Sequence, residues 1–322
     1  MQDKIWISDL NQRKEVQAGF NRSRPVRFYD TTLRDGEQAV GVVFDPDEKF
    51  AIACGLDKLG VARIEAGFPR VSEADTQAVR RILKAGLKAE IWGFSRAVRG
   101  DLDALIELGI RQALIEISTS EIKMKAYGFD QARVLKNVSE SVQHAVTNGM
   151  KVLFFPVDST RSELGFLRKV YQAALDAGAT ELAVVDTIGA CAPEAVESMI
   201  REVRSWIGAD VPLHFHGHND FGLGTAAAIA AVRGGADWIQ GTINGIGERA
   251  GNSDLCEVAL ALKCLYNVPV ELDLRQARQV SALVQKAGNY RVDGWRPVVG
   301  DNLFIRESGA VATQFHIPAA IE

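Results

Sequence analysis

Three of the chain's five histidines fall on alternate residues in the stretch His214-Phe215-His216-Gly217-His218. If this stretch is a β-strand, all three imidazoles point to one face, because side chains at i and i+2 share a side. His216 and His218 are then spaced to hold one metal ion in a chelate set by the backbone. The alternative interpretation is a pair of histidines that are only hydrogen-bonded in a core.

A second group of reactive side chains lies in Asp30-Thr31-Thr32-Leu33-Arg34-Asp35-Gly36-Glu37-Gln38. Asp35 offers a hard oxygen ligand that could join the two imidazoles. Arg34 could donate to a carbonyl or carboxylate oxygen of a metal-bound substrate. A turn of solvated charges is the alternative.

Further polar groups stand at the ends of other β-rich segments. Glu65 precedes Ala66-Gly67-Phe68, and Asp186 precedes Thr187. Buried acids need partners, so either acid could instead brace neighbouring side chains. The run from Asn244 to Asn252 is rich in glycine and could let backbone amides approach an anion.

The elements that must position these groups repeat as alternating strand-like and amphipathic segments, the pattern of a parallel sheet with crossover helices. Eight such units in about 240 residues predict an α/β fold, a closed TIM (β/α)8 barrel, rather than a doubly wound open sheet. The predicted strands are Val26–Thr32, Arg63–Phe68, Glu90–Phe94, Gln112–Ser118, Lys151–Val157, Glu181–Thr187, Pro212–His218 and Trp238–Asn244. The predicted helices are Pro46–Leu59, Ser72–Ala85, Asp101–Leu108, Asp130–Asn148, Ser162–Ala177, Pro193–Ile207, Gly224–Arg233 and Asp254–Leu265.

We expect an N-terminal arm at residues 1–24, the catalytic barrel at 25–267 and a C-terminal appendage at 268–322. The appendage contains one predicted helix, Leu274–Lys286, followed by a looser segment broken by glycines. Catalytic groups of such barrels lie at the carboxyl ends of the strands. His214 would therefore lie one layer deeper than His216 and His218, in a hydrogen-bonded core role.

Composition excludes several classes of function. The chain has 322 residues, 47% of them hydrophobic, and 37 Lys+Arg against 41 Asp+Glu give a net charge of -4. No basic block suits a nucleic acid, so small-molecule partners are expected. No signal peptide or run of about 18 apolar residues suggests a membrane. Four cysteines without a CxxC pattern indicate reduced thiols and a cytoplasmic protein.

The motifs together resemble the family of metal-dependent barrel enzymes that includes homocitrate synthase, isopropylmalate synthase, citramalate synthase and 3-hydroxy-3-methylglutaryl-CoA lyase. The resemblance rests on the segment Asp30–Gln38, on His216-Gly217-His218-Asn219-Asp220 and on the loop Gly245–Asn252, and it covers about Val26 to Leu265. Gln38 and the glycine loop look like the condensing synthases, and the lyase's Cys-containing loop is not matched. Gly41-Val42-Val43-Phe44 most resembles the short homocitrate synthases.

The resemblance implies a Claisen condensation of acetyl-CoA with a 2-oxo acid. A divalent ion (Mg, Mn, Zn or Co) would bind the ketone and carboxylate oxygens, and Arg34 would polarise the ketone. A base would form the acetyl enolate, and thioester hydrolysis would make the reaction irreversible. A homodimer with exchanged C-terminal segments is also implied. The candidate residues are Arg34, Glu65 and Thr187 for catalysis; Arg34, Gln38, Lys123, Arg161 and Thr187 for substrate binding, with Arg161 at the distal end of the 2-oxo acid; and Asp35, His216, His218 and Asn252 for the metal.

The sequence departs from the family pattern near the expected active site. A tail segment Phe-x-His-Glu-Ser-Gly-Ile-His is replaced by the run from Phe304 to Val311, which lacks both histidines. His316 could substitute, or could be an incidental surface residue. Asp-Ile-His after strand four reads Glu121-Ile122-Lys123, and Val157 replaces a glutamate. Cationic Lys123 and Arg306 suggest a substrate more anionic than 2-oxoglutarate, such as phosphonopyruvate.

Two other functions remain open on the sequence alone. A lyase or aldolase could cleave a carbon–carbon bond of a related hydroxy acid through the same metal and enolate chemistry. A weakened paralogue could bind a small acid as a sensor or accessory subunit, although the intact candidate metal ligands argue against it. The sequence does not choose the 2-oxo acid, the metal, the general base, the direction of reaction or the oligomeric state.

Overall fold

The protein is described by a computed structural model that covers residues 6–68 and 72–309. Eight parallel strands form a closed barrel in chain order, with the last strand hydrogen-bonded to the first. The predicted TIM barrel is therefore confirmed. The strands are β1 (Arg27–Asp30), β2 (Arg63–Glu65), β3 (Glu90–Arg96), β4 (Gln112–Ser118), β5 (Lys151–Val157), β6 (Glu181–Asp186), β7 (Leu213–Gly217) and β8 (Trp238–Gly241).

Helices follow the strands on the outside of the barrel. In the described residues they are α1 (Lys14–Gln17), α2 (Pro46–Leu59), α3 (Glu73–Leu83), α4 (Arg99–Glu107), α5 (Glu121–Tyr127), α6 (Gln131–Thr147), α7 (Leu164–Asp176), α8 (Pro193–Ile207), α9 (Gly224–Gly234), α10 (Leu255–Leu265) and α11 (Ala277–Ala287). None of these helices has the length and apolar character needed to cross a membrane. The four cysteines all lie in the described residues and are unpaired, as predicted.

Several elements differ from the sequence prediction. Helix α5 was not predicted, because seven residues are too few for a helical period to stand out; Ser120 caps its first turn and Gly128, at φ 66°, ends it. Strand β2 ends at Glu65 rather than Phe68, since Gly67 takes φ 122° and leaves the ladder. Strand β1 ends before Thr31, whose carbonyl accepts the amides of Asp35 and Gly36 in a tight turn.

Two apolar layers hold the barrel together. One lies between the strands and the helices. The other fills the barrel interior and consists of inward side chains from alternate strand positions: Tyr29, Trp92, Phe94, Leu114, Leu153, Phe155, Ala183, Val185 and Trp238.

The amino-terminal end of the barrel is closed by a buried ionic network. Glu181 accepts hydrogen bonds from Nη1 and Nη2 of Arg63, at 2.6 and 2.9 Å. The Arg63 guanidinium carbon lies 3.7 Å from the Trp238 ring centroid. His214 is fully buried, with Nε2 2.7 Å from Glu181 Oε2. The prediction that His214 has a core role is confirmed, and its ring is unavailable to a metal at the other end.

The appendage reaches the barrel mouth beside β8. Its helix α11 packs against α2. Asn244, just after β8, donates from Nδ2 to the Tyr290 hydroxyl at 2.8 Å and to the Ser281 carbonyl at 3.3 Å. These bonds attach the tail to the carboxyl end of the barrel, where the candidate site lies. Val311 and His316 lie outside the described residues.

Candidate metal and substrate site

Three candidate ligands from two strand ends converge at the barrel mouth. Asp35 Oδ2 lies 3.2 Å from His216 Nε2 and 3.7 Å from His218 Nε2, and the two Nε2 atoms are 3.5 Å apart. Ligands about 2.1 Å from one ion lie about 3.0 Å apart in an octahedral site and about 3.4 Å apart in a tetrahedral one. The three atoms are thus spaced to share one divalent ion, and all three side chains are buried.

Unsatisfied polar atoms support the same interpretation. Buried polar atoms are normally hydrogen-bonded. Here Asp35 Oδ2, Asn252 Oδ1 and Nδ1 of both His216 and His218 have no hydrogen-bond partner. Among the described residues, Asp35 Oδ2 and Asn252 Oδ1 are therefore unused acceptors, and oxygen and imidazole-nitrogen atoms are ligands that a divalent cation takes. The Nδ1 atoms are not the nitrogens that converge on Asp35.

The protonation states of the candidate ligands favour the binding of a cation. Burial raises the pKa of Asp35, but the Arg34 guanidinium and the two imidazoles outweigh burial and hold that pKa below its ordinary value. Burial is also the largest influence on His218 and lowers its pKa to about 4, against the opposing effect of Asp35. At neutral pH the site presents an anionic carboxylate and a neutral imidazole, so these ligands need lose no proton to bind a metal.

The loop after β1 aims Arg34 into the mouth. Its Nε donates to Glu65 Oε2 at 2.6 Å, and its guanidinium lies 4.5 Å from the Phe94 ring centroid. The buried Nη2 has no hydrogen-bond partner, and Nη1 lies 3.6 Å from Asp35 Oδ2, so the guanidinium lies next to a metal candidate and keeps an unused donor. The loop is also held by an ion pair of 2.6 Å between Glu37 and the buried Lys49.

Glu65, predicted as catalytic, contacts Arg34. Its buried carboxylate accepts from Arg34 Nε and, at 3.3 Å, from the Tyr29 hydroxyl. Both oxygens are thus engaged, which suits a residue that positions Arg34; the predicted catalytic role is not tested by this geometry. Asp186 likewise braces the loop after β6, accepting from Thr160 Oγ1 at 3.1 Å and from the amide of Cys191 at 3.1 Å.

The glycine-rich loop after β8 folds over the end of β7 and brings Asn252 beside His218. The two residues form an antiparallel bridge, and Asn252 Nδ2 donates to the Ile246 carbonyl at 3.2 Å. A Cβ on Gly251 would lie 1.9 Å from the Gly245 carbonyl oxygen, and one on Gly247 would lie 2.2 Å from Asn252 Nδ2. The glycines are needed for close packing of the loop on itself. An approach of the loop's amides to an anion stays a prediction.

The candidate substrate-binding residues after β5 and β6 are already engaged. Arg161 makes two hydrogen bonds to Asp158, at 2.8 and 2.6 Å. Thr187 Oγ1 accepts the amide of Asp158 at 2.8 Å, and its own hydroxyl hydrogen remains available. Arg249 clamps this region by donating to the Thr187 carbonyl at 2.7 Å and to Asp220 at 2.8 Å.

The other predicted contacts lie further out. Gln38 is exposed in a 3-10 turn at the mouth, and Lys123 is half-buried on α5. Arg306 is exposed in the tail, where its guanidinium donates to the carbonyls of Leu303 and Ile305.

Sequence reasoning missed Glu116. This residue lies on β4 two positions after Leu114, which belongs to the interior cluster, so its side chain also points into the barrel. The charges that influence it most are Arg34 and Glu65. A signal was present, since an acid two residues after an inward leucine interrupts an otherwise apolar strand.

Comparison with known proteins agrees with this architecture. A family model described as HMGL-like matches residues 25–284. A putative (R)-citramalate synthase of Methanopyrus kandleri is 42% identical over 297 residues, which cover 92% of this chain and 58% of that protein. A homocitrate synthase of the same organism is 41% identical over 298 residues, which cover 92% of this chain and 73% of that protein. The chain thus spans little more than half the length of the first relative.

A solved structure shares the fold. Hydroxymethylglutaryl-CoA lyase from Pseudomonas aeruginosa superimposes with a TM-score of 0.76 over 87% of this chain and 97% of that chain. Its sequence is 17% identical. At that identity the likeness supports the barrel and carries no information on the reaction.

Proposed function

The chain belongs to the HMGL-like family, and from this premise we propose that it is a metal-dependent enzyme that condenses acetyl-CoA with a 2-oxo acid. The relatives named above are synthases, for (R)-citramalate and for homocitrate. The observation that carries the proposal is the buried triangle of Asp35, His216 and His218, with the unpartnered Arg34 Nη2 beside it.

Asp35, His216 and His218 would hold the metal, and Asn252 is placed to add its orphaned Oδ1. A bound divalent cation would supply Lewis acidity to the ketone and carboxylate oxygens of the 2-oxo acid. The chain itself provides a site with little exposure to solvent, since all four side chains are buried.

Arg34 is proposed to bind the ketone oxygen and to stabilise the negative charge that develops there. A hydrogen bond from a charged donor in a buried site is stronger than one in water. Glu65 holds the guanidinium through Nε, and Nη1 lies 3.6 Å from Asp35 Oδ2, so the guanidinium is held next to the metal candidates. The Thr187 hydroxyl hydrogen is available to the substrate carboxylate.

The proposed reaction balances as follows. A base takes a proton from the acetyl methyl group, and the resulting carbon adds to the ketone carbon, whose oxygen becomes a hydroxyl group. Water then cleaves the thioester and releases the CoA thiol. The products are a 2-hydroxy diacid and free CoA.

A homodimer is proposed as the working unit. Three large apolar side chains of the tail are strongly exposed in the single chain: Trp295 at 75%, Phe304 at 70% and Ile305 at 58%. Clusters of exposed apolar residues are typical of association surfaces. Sedimentation equilibrium tests this, with Trp295→Ser and Phe304→Ser expected to weaken association and a monomer at all concentrations contradicting it.

The decisive experiment measures free thiol when the metal-loaded protein is mixed with acetyl-CoA and a panel of 2-oxo acids. We expect thiol release that depends on the 2-oxo acid, and a product mass equal to that of the 2-oxo acid plus one molecule of acetic acid. Asp35→Ala and His216→Ala should abolish it. His144→Ala is the matched control, because His144 pairs with Asp103 on the outer surface, 2.7 Å away. Metal-loaded protein that releases no thiol with any 2-oxo acid would overturn the proposal.

A further inference from the structure

The wall of the barrel opposite the metal candidates is aromatic. In an eight-stranded barrel β4 lies across the mouth from β8, which lies between the strands that precede Asp35 and carry His216. A molecule bound to the triad therefore extends toward β3, β4 and β5. The inward side chains there include Phe94 and Phe155. Phe155 meets the His216 ring edge-on at 5.2 Å, so this wall begins directly at the metal candidates.

Glu116 is an acid that lies on this wall. It pairs across the sheet with Arg96 on β3 and with Phe155 on β5, so it occupies the same layer as these two residues. Among the described residues its side chain has no hydrogen bond or ion pair. Burial raises its pKa to about 7, with Arg34, Lys123 and Arg96 acting in the opposite direction and Glu65 raising it further.

Two of the arginines near this wall, Arg161 and Arg96, are already paired with acids. Asp158 takes two hydrogen bonds from Arg161. Asp101 takes two from Arg96, at 2.7 and 3.1 Å. Lys123 acts on Glu116 itself. A carboxylate or phosphonate at the far end of the substrate would meet aromatic rings and another carboxyl group, at a cost in desolvation and repulsion.

We propose that Glu116, together with Phe94 and Phe155, is a specificity-determining residue that limits the site to 2-oxo acids with an uncharged, apolar substituent. The inference rests on the proposed condensing function and names its substrate class. It replaces the expectation, drawn from Lys123 and Arg306, of a substrate more anionic than 2-oxoglutarate. A second anionic group beside Glu116 either is repelled by its carboxylate or forces it to take up a proton, and both lower the affinity for a dianionic acid.

The test compares 2-oxobutyrate, which is uncharged beyond its 2-oxo acid group, with 2-oxoglutarate and phosphonopyruvate. In the wild-type holoenzyme, kcat/KM for 2-oxobutyrate should exceed that for either dianionic acid by about 100-fold or more. Glu116→Gln should raise kcat/KM for 2-oxoglutarate by about 10-fold and leave that for 2-oxobutyrate within about threefold. Glu140→Gln, on the exposed face of α6, is the matched control.

Three results would count against a proposal, and they can be told apart. A wild-type preference for 2-oxoglutarate or phosphonopyruvate overturns the inference, and this ratio needs no variant to fold. Loss of turnover with all substrates in Glu116→Gln, at an unchanged melting temperature, also overturns it and assigns Glu116 to proton transfer. Absence of thiol release with every 2-oxo acid is a different result, because it removes the proposed function itself.

Discussion

Arg34 and Glu65 form a 2.6 Å hydrogen bond from Nε to Oε2 across the ends of β1 and β2, and the bond leaves Arg34 Nη2 as a buried donor without a partner. The pair is a preorganised hydrogen-bond donor. Its geometry is set before a substrate arrives, so little reorganisation is needed during the reaction.

Removing this donor should lower kcat more than it raises KM. We expect Arg34→Met to reduce kcat by about 10²- to 10³-fold, the usual effect of losing one donor to a developing oxyanion. Glu65→Gln should cost less, and the double variant should be no slower than Arg34→Met, because Glu65 acts through Arg34. Steady-state kinetics measure all three.

Glu90→Gln is the matched control for this series. Glu90 also pairs with an arginine, Arg63, at 2.8 Å, but at the amino-terminal end of the barrel. It should leave kcat unchanged. Additive losses in Arg34→Met and Glu65→Gln would contradict the positioning role and give Glu65 an independent contact with the reacting groups.

Metal content tests the site without reference to turnover. Asp35→Ala, His216→Ala and His218→Ala should each lose stoichiometric binding of Mn²⁺ or Zn²⁺ in isothermal titration calorimetry, because each removes one of three converging ligand atoms. Asn252→Ala should weaken binding by about 10- to 100-fold, as expected for a residue that supports a metal site. Unchanged affinity in Asp35→Ala and His216→Ala together would rule the site out.

The barrel could be predicted from the sequence because its signals are local. The bounds of β4 and β5 agree with the predicted runs Gln112–Ser118 and Lys151–Val157, which are short, largely apolar segments between helical patterns. The site ligands could be predicted because strand ends share one mouth in this fold. His216 and Asp35 could therefore be assigned to the same end of the barrel before the distance between their side chains was known.

The partners within the site could not be predicted. Glu65 meets Arg34 and Asp158 captures Arg161 because of the stagger between strands and the course of loops, which no local periodicity encodes. The glycine-rich run from Asn244 to Asn252 suggested an approach to an anion, but the sequence could not show that Gly251 packs against the Gly245 carbonyl. Glu116 was missed, because only the residues at the ends of the strands were considered as candidates.

The packing of the glycine loop should be measurable as both stability and metal affinity. Gly251 takes φ 85°, and an added Cβ would meet the Gly245 carbonyl at 1.9 Å. We expect Gly251→Ala to destabilise the fold by about 3 kcal/mol or more, from strain and overpacking together, and to weaken metal binding by displacing Asn252. Urea unfolding and calorimetry measure the two effects.

Gly109→Ala separates strain from packing. Gly109 takes φ 80°, but an added Cβ there meets nothing within 4 Å. This variant should lose about 1–2 kcal/mol, the cost of the left-handed conformation alone, and should keep full metal affinity. Equal losses in the two variants would show that close approach in the loop contributes nothing.

The stability of the metal-free protein should depend on pH through Asp30. This fully buried carboxylate accepts from Thr32 N at 2.8 Å and from Thr32 Oγ1 at 2.9 Å, yet burial raises its pKa to about 7. In the unfolded chain the pKa is about 3.9. Between these values the folded state holds more protons than the unfolded state, so the free energy of unfolding falls as pH rises from about 4 to about 7.

Asp30→Asn removes this titration and keeps an acceptor oxygen for Thr32. Relative to the wild type, the variant should therefore gain stability as pH is raised from 4 to 8, by at most about 4 kcal/mol, which is the free-energy equivalent of a pKa difference of about three. Urea unfolding at several pH values, with EDTA present so that the metal ligands do not contribute, measures the difference. A difference between variant and wild type that stays constant from pH 4 to pH 8 would mean that Asp30 is ionised in the fold at low pH, held there by the two Thr32 hydrogen bonds against the effect of burial.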